Sequence, residues 1–146
     1  MTISRFLVIL QTNIMEKPTM HIGVFVGDAI ENILSGKKKI EGRFSIARLA
    51  PYAKVKKGDI ILLKPSGGKI FGQVEADNVL YFENLDGEKL GKLRREYGED
   101  LAMPDEFWQS KAKARYATII FLKNPRRYLS TLSCAKRDRR GWMIRA

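Results

Sequence analysis

Within the ten residues 35–44, SGKKKIEGRF, three lysines, a carboxylate and an arginine crowd into one short stretch. On an extended chain, side chains alternate between faces. From Lys39 to Phe44 that places Lys39, Glu41 and Arg43 on one side and Ile40, Gly42 and Phe44 on the other, with Lys38 in the turn just before. A guanidinium and an ammonium beside one carboxylate suit an anion or a base edge, with Glu41 orienting the two cations. A catalytic role is the sharper alternative. Glu41 would act as general base on a ribose hydroxyl, and Lys38 would stabilise a developing oxyanion or pentavalent phosphate. Two neighbouring cations depress a carboxyl pKa, however, and make it a poor base near neutrality. The plainest reading is a structural ion pair that fastens a helix to the sheet.

The elements around this cluster follow from periodicity. VGDAIENIL places Ala29, Ile30, Ile33 and Leu34 at helical spacing, and Gly36 supplies a left-handed stop. His21–Val26 and Ile60–Lys64 read as short apolar strands, and Pro65-Ser66-Gly67-Gly68 as a hairpin turn. Lys69–Tyr81 returns as one long strand or two, with a bend near Gly72. Two helices are expected at Glu88–Tyr97 and Pro104–Ala114, both as packing elements. YATIIFL, Tyr116–Leu122, is the clearest buried strand, with a break expected at Asn124-Pro125, and Trp142–Ile144 reads as a closing strand. Five or six short strands with peripheral helices predict an α+β fold, a small mixed β-barrel.

The chain has 146 residues, 45% of them apolar, enough for one domain with a real core. Its single cysteine, Cys134, excludes an intramolecular disulfide, and no Cys/His spacing suggests a metal site. No cofactor is implied. Residues 1–19 contain only the apolar run FLVIL, far short of a membrane span, and read as an added strand or a tail; Met15 and Met20 are alternative starts. Cytoplasmic placement is the expectation, with no membrane partner.

The formal net charge is +11, and it is unevenly spread. Residues 37–64 carry nine Lys/Arg against Glu41 and Asp59, and residues 123–145 carry eight against Asp138. Residues 75–106 reverse the balance, with ten acids against Lys89, Lys92, Arg94 and Arg95. If the basic blocks meet in the fold, phosphate is the natural ligand of the face they make. Lys64, Arg139 and Arg140 would join an electrostatic funnel for a nucleic-acid backbone. Trp142 is either a base-stacking platform or a core residue closing the barrel. Tyr52, in a basic loop, is the better candidate for an exposed ring. His21 stands alone and reads as structural.

SGKKKIEGR resembles the GxKxxExR signature of the ASCH domain, a branch of the PUA-like β-barrels, with Gly36, Lys38, Glu41 and Arg43 at the signature positions. VKKGDIILLKPSGGKIFGQV is similar to the strand-hairpin-strand that follows the signature, and ARYATIIFL with KRDRRGWM resembles one bacterial subgroup. The resemblance runs from His21 to the end, so residues 20–146 are expected to form the domain. It implies a PUA-like barrel whose cleft beside the signature holds RNA or a nucleotide-like ligand. It also implies hydrolase activity in some members, on RNA or on acetylated cytidine. In the latter type a threonine stands where this chain has Glu41, so the lysine–threonine pairing is absent, and Lys38 alone does not carry that chemistry over. The expected function is therefore RNA or nucleotide binding through Lys38, Glu41 and Arg43, with the basic C-terminus as second wall. Hydrolysis of RNA or a modified nucleoside, or docking of an acidic protein partner, are the alternatives.

Overall fold

The structure is a computed structural model that describes residues 17–134 and 140–145. Among these described residues six strands form one mixed, curled sheet, a half-barrel with three helices on its flanks, as the α+β reading expects. In chain order the elements are β1 (Met20–Phe25), α1 (Ala29–Ser35), β2 (Ile40–Ser45), β3 (Ile60–Pro65), β4 (Ile70–Phe82), α2 (Gly87–Leu101), α3 (Asp105–Ser110), β5 (Tyr116–Leu132) and β6 (Trp142–Arg145). The spatial order is β2-β5-β4-β3-β1-β6. β1 and β3 run parallel and the other neighbours antiparallel. The sheet begins with β2 and ends with β6, and curling brings these two towards each other across an open seam.

Helix α1 buries Ala29, Ile30 and Ile33 and ends at Gly36, whose φ of 85° only glycine adopts cheaply and whose N–H closes on the Ile33 carbonyl. One apolar cluster joins α1 to Phe25, Ile61, Leu63, Val74, Ile120 and Trp142. A second packs α2 and α3 on the outside of β2 through Ile40, Phe44, Leu93, Leu101 and Trp108. β2 therefore buries both of its faces, one of them with charged residues on it.

Three elements differ from their expected bounds. The stripe Leu90, Leu93, Tyr97 continues to the fully buried Leu101, so α2 runs one turn past Tyr97. Helix α3 stops at Ser110 instead of Ala114, and residues 111–113 turn with Ala112 and Lys113 exposed before Ala114 returns to the core. The break expected at Asn124-Pro125 is absent, and β5 continues to Leu132. Its ladder to β4 passes from Glu75↔Lys123 to Gln73↔Arg126, so one extra residue is absorbed as a bulge, with Asn124 at φ 54°. Proline is tolerated there because a bulged residue owes the ladder no N–H.

Of the expected N-terminal extension, residues 1–16 lie outside the described residues. Thr19 belongs to the fold: its N–H donates to Asp59 Oδ1 and its carbonyl accepts from Ile60 N–H. Among the described residues no helix is long and apolar enough to cross a membrane.

Candidate functional site

The seam between β2 and the β1/β6 end of the sheet is where the charged cluster lies. Glu41 and Arg43 share a face of β2, as alternation predicts, and Arg43 Nε donates to Glu41 Oε2 at 2.8 Å. The same guanidinium reaches across the seam. Nη1 donates to the Gly141 carbonyl at 3.0 Å and Nη2 to the Val24 carbonyl at 2.9 Å, while the group lies 4.9 Å from the centre of the Phe25 ring and 5.1 Å from that of Trp142. Backbone hydrogen bonds hold the other strands together; here one side chain spans the gap between the two ends of the sheet.

Lys38 faces the other way. It is 1% exposed, its Nζ donates to the Leu101 carbonyl at 2.6 Å and lies 3.2 Å from Glu41 Oε1, and its own N–H donates to the Asn32 carbonyl. Leu101 is the last residue of α2, where the helix presents unsatisfied carbonyls and the negative end of its dipole. Lys39 N–H takes the neighbouring Asp100 carbonyl. The lysine of the signature thus ties β2 to the ends of α1 and α2 and does not line the seam.

Glu41 is caught between its two cations, with Oε1 also accepting from Gly42 N–H. Burial pushes its carboxyl pKa up, but Arg43 and Lys38 together outweigh burial and hold it below its ordinary 4.5. A depressed folded-state pKa contributes stability that is present above the unfolded value and lost as pH falls through the folded one. Acid titration should therefore erode wild-type stability from about pH 4.5 downward. Glu41→Gln, though less stable at neutral pH, should show a shallower fall in that window. Equal slopes in urea unfolding between pH 5 and pH 3 would remove Glu41 as a source of the acid limb.

A cleft of about 700 Å³ opens along the seam. Phe25, Phe44, Phe107 and Trp142 contribute apolar surface, while Arg48, Lys111 and Arg140 join Glu41 and Arg43 among its lining residues. Arg48 is largely exposed, and Lys111 Nζ lies 5.4 Å from the centre of the Phe107 ring. Sequence reasoning missed Arg48, Phe107 and Lys111 as a group. Arg48 was submerged in a generally basic stretch, and α3 read as a packing element.

The remaining expected site residues divide. Arg140 lines the cleft; Arg139 lies outside the described residues. Lys64 is half-buried on β3, its Nζ near the Pro65 carbonyl, and is absent from the cleft's lining. The exposure expected of Tyr52 is corrected: its ring is buried edge-on against Tyr81 and Tyr116, because the loop after β2 folds back over β4 and β5. Trp142 is 3% exposed and belongs to the core while one edge lines the cleft, which disfavours open stacking of a base on its face. Its indole N–H donates to His21 Nδ1 at 3.0 Å, and His21 Nε2 meets Asp59 Oδ2 at 2.9 Å. Because indole only donates, His21 carries its proton on Nε2, and Asp59 also accepts from Thr19 and Lys56 N–H. His21 is thus a buried structural histidine. Among the described residues no three His, Cys, Asp or Glu side chains gather to hold a metal ion.

No protein-family model matches the sequence, and no curated protein matches it. Solved structures do. The crystal structure of ASCH from Zymomonas mobilis is 16% identical with a TM-score of 0.58, covering 75% of this chain and 73% of that one. A mutant form of the Zymomonas mobilis protein superposes with a TM-score of 0.67 at 12% identity, over 87% and 88% of the two chains. Protein EF3133 from Enterococcus faecalis superposes with a TM-score of 0.53 at 8% identity, over 85% and 87%. This likeness shows that the chain has the fold of the ASCH structures.

Proposed function

We propose that the protein binds RNA, or a single nucleotide of it, in the seam cleft, as a binding module and not primarily as a catalyst. The observation that carries this reading is the composition of the cleft. About 700 Å³ is within the usual size of a small-ligand site, and here aromatic surface lies next to Arg43, Arg48, Lys111 and Arg140, with Glu41 the one carboxylate among the described residues that line it. Bases supply planar apolar faces and phosphates supply charge, so one nucleotide satisfies both halves of the cleft. The ASCH-type fold of the Zymomonas mobilis proteins adds support at the level of fold.

Hydrolysis by Lys38 and Glu41 has less support. Lys38 is enclosed between Leu101 and Glu41, and Glu41 is held in its weakly basic form. The test of binding is salt. With about three rim cations engaging phosphates, affinity for a fluorescent single-stranded RNA should fall with a log-log slope of about −2. A slope near zero with measurable binding would mean that the rim meets no phosphate. Failure to bind RNA or nucleotides, together with capture of an acidic peptide, would favour the protein-partner reading instead.

A further inference from the structure

One wall of the cleft is backbone. Among the described residues β2 is an end strand of the sheet, with one edge paired to β5 and the other without a strand beside it. The phase of that pairing is fixed at its start, where Leu122 N–H donates to the Lys39 carbonyl. In an antiparallel ladder the peptide groups of alternate residues face the partner and the rest face away. The Lys39 carbonyl and the peptide groups of Glu41 and Arg43 therefore face β5, whereas Gly42 and Phe44 turn their N–H and C=O towards the seam. Gly42 agrees with this phase, since its N–H donates to Glu41 Oε1 at 3.2 Å. Gly42 and Phe44 both line the cleft. Along its wall run the Gly42 C=O, the Phe44 N–H and the Phe44 C=O, an acceptor-donor-acceptor series held in place by the sheet.

We infer that this edge of β2, with the Phe44 peptide at its centre, reads the hydrogen-bonding edge of a nucleobase in the seam, so that base selectivity is carried by backbone. The rim cations Arg48, Lys111 and Arg140 then hold phosphate without regard to base. This rests on the reading of the cleft as a nucleotide site. A protein strand added along β2 is the usual occupant of a free edge, but Arg43 spans the seam to Val24 and Gly141 and blocks a continuous added strand. What fits beside Arg43 is a compact planar group with adjacent donors and acceptors. Every nucleobase presents such an edge.

Calorimetric titration of the full chain with the four nucleoside 5′-monophosphates identifies the preferred base. Its neutral counterpart carrying a methyl group on the Watson–Crick edge, and ribose 5-phosphate, are then compared with it. Edge methylation should weaken binding by at least about fivefold, the discrimination expected of one good two-point base contact. In a variant combining Arg48→Gln, Lys111→Gln and Arg140→Gln, every nucleotide should bind more weakly, while the ratio between free-edge and blocked-edge bases stays within about twofold of wild type. A ratio near one in the wild type, with nucleotides binding, overturns backbone readout and leaves the nucleotide site standing. A ratio that collapses in the triple variant assigns the readout to side chains and overturns it too. If no nucleotide binds, the nucleotide reading itself falls and this inference with it.

Discussion

Lys38→Ala is expected to destabilise the fold by about 3–5 kcal/mol, the range for removing one partner of a buried ion pair. Two costs add. Glu41 keeps only Arg43 as counter-charge in a site that is 6% exposed, and the Leu101 carbonyl loses the ammonium that terminates α2. Conformational entropy offsets little of this, because the lysine is already fixed at three points by Asn32, Leu101 and Glu41. Against a typical total of about 5–15 kcal/mol, such a loss leaves a marginal fold. Lys38→Met, which keeps most of the volume, should recover only the packing part. Lys37→Ala and Lys39→Ala, on the exposed side chains immediately before and after it, should stay within about 0.5 kcal/mol of wild type. Urea unfolding of the four variants decides the matter. If Lys38→Ala costs no more than its neighbours, the ammonium is not a structural tie.

The effect should extend to the cleft by a traceable route. Beyond Leu101 the chain turns through Ala102 at φ 52° into Met103 and α3, which brings Phe107 and Lys111 to the cleft wall. Loosening the end of α2 loosens that wall. If the cleft holds the proposed nucleotide, Lys38 bears on its binding through position, without lining the cleft.

The sequence made the Glu41–Arg43 pair visible because the period of a strand is local: two residues apart means one face. Gly36 ended α1 as expected for the same reason, since a left-handed stop is a property of one residue and its neighbours. Lys38 looked like a site residue because its partner, Leu101, stands 63 positions away, and nothing in local spacing marks a helix end as the destination of an ammonium. The His21 network was hidden similarly, its partners being 38 and 121 positions distant. Tyr52 was misjudged because the basic residues around it describe the exposed surface of its loop, while its ring is buried by Tyr81 and Tyr116 from strands distant in sequence. Local charge shows where water is, and long-range packing decides which aromatic turns away from it.

Arg43→Lys is expected to recover at most about half of what Arg43→Ala loses, although it preserves charge. The guanidinium serves three acceptors in different directions, Glu41 Oε2 on its own strand and the Gly141 and Val24 carbonyls across the seam, with Phe25 and Trp142 against it. An ammonium is a compact point charge without a planar fork and cannot reproduce these contacts together. With the side chain 21% exposed, the loss on Arg43→Ala should approach about 3–5 kcal/mol, and Arg43→Lys should recover no more than about half of it. Stability alone would not separate a seam tie from any other buried pair, so the informative readout is local. Val24 N–H donates to the Gly141 carbonyl at 2.9 Å, and that carbonyl is the one Arg43 anchors. Amide exchange at Val24 should therefore accelerate in both variants by more than at Ile61 or Leu62, in the middle of β3. Nucleotide affinity should fall in parallel, because the cleft is the width that Arg43 sets. Equal protection at Val24 in wild type and Arg43→Lys would show that the two ends of the half-barrel hold their spacing without the guanidinium, and Arg43 would then be left with the ligand as its only reason to be there.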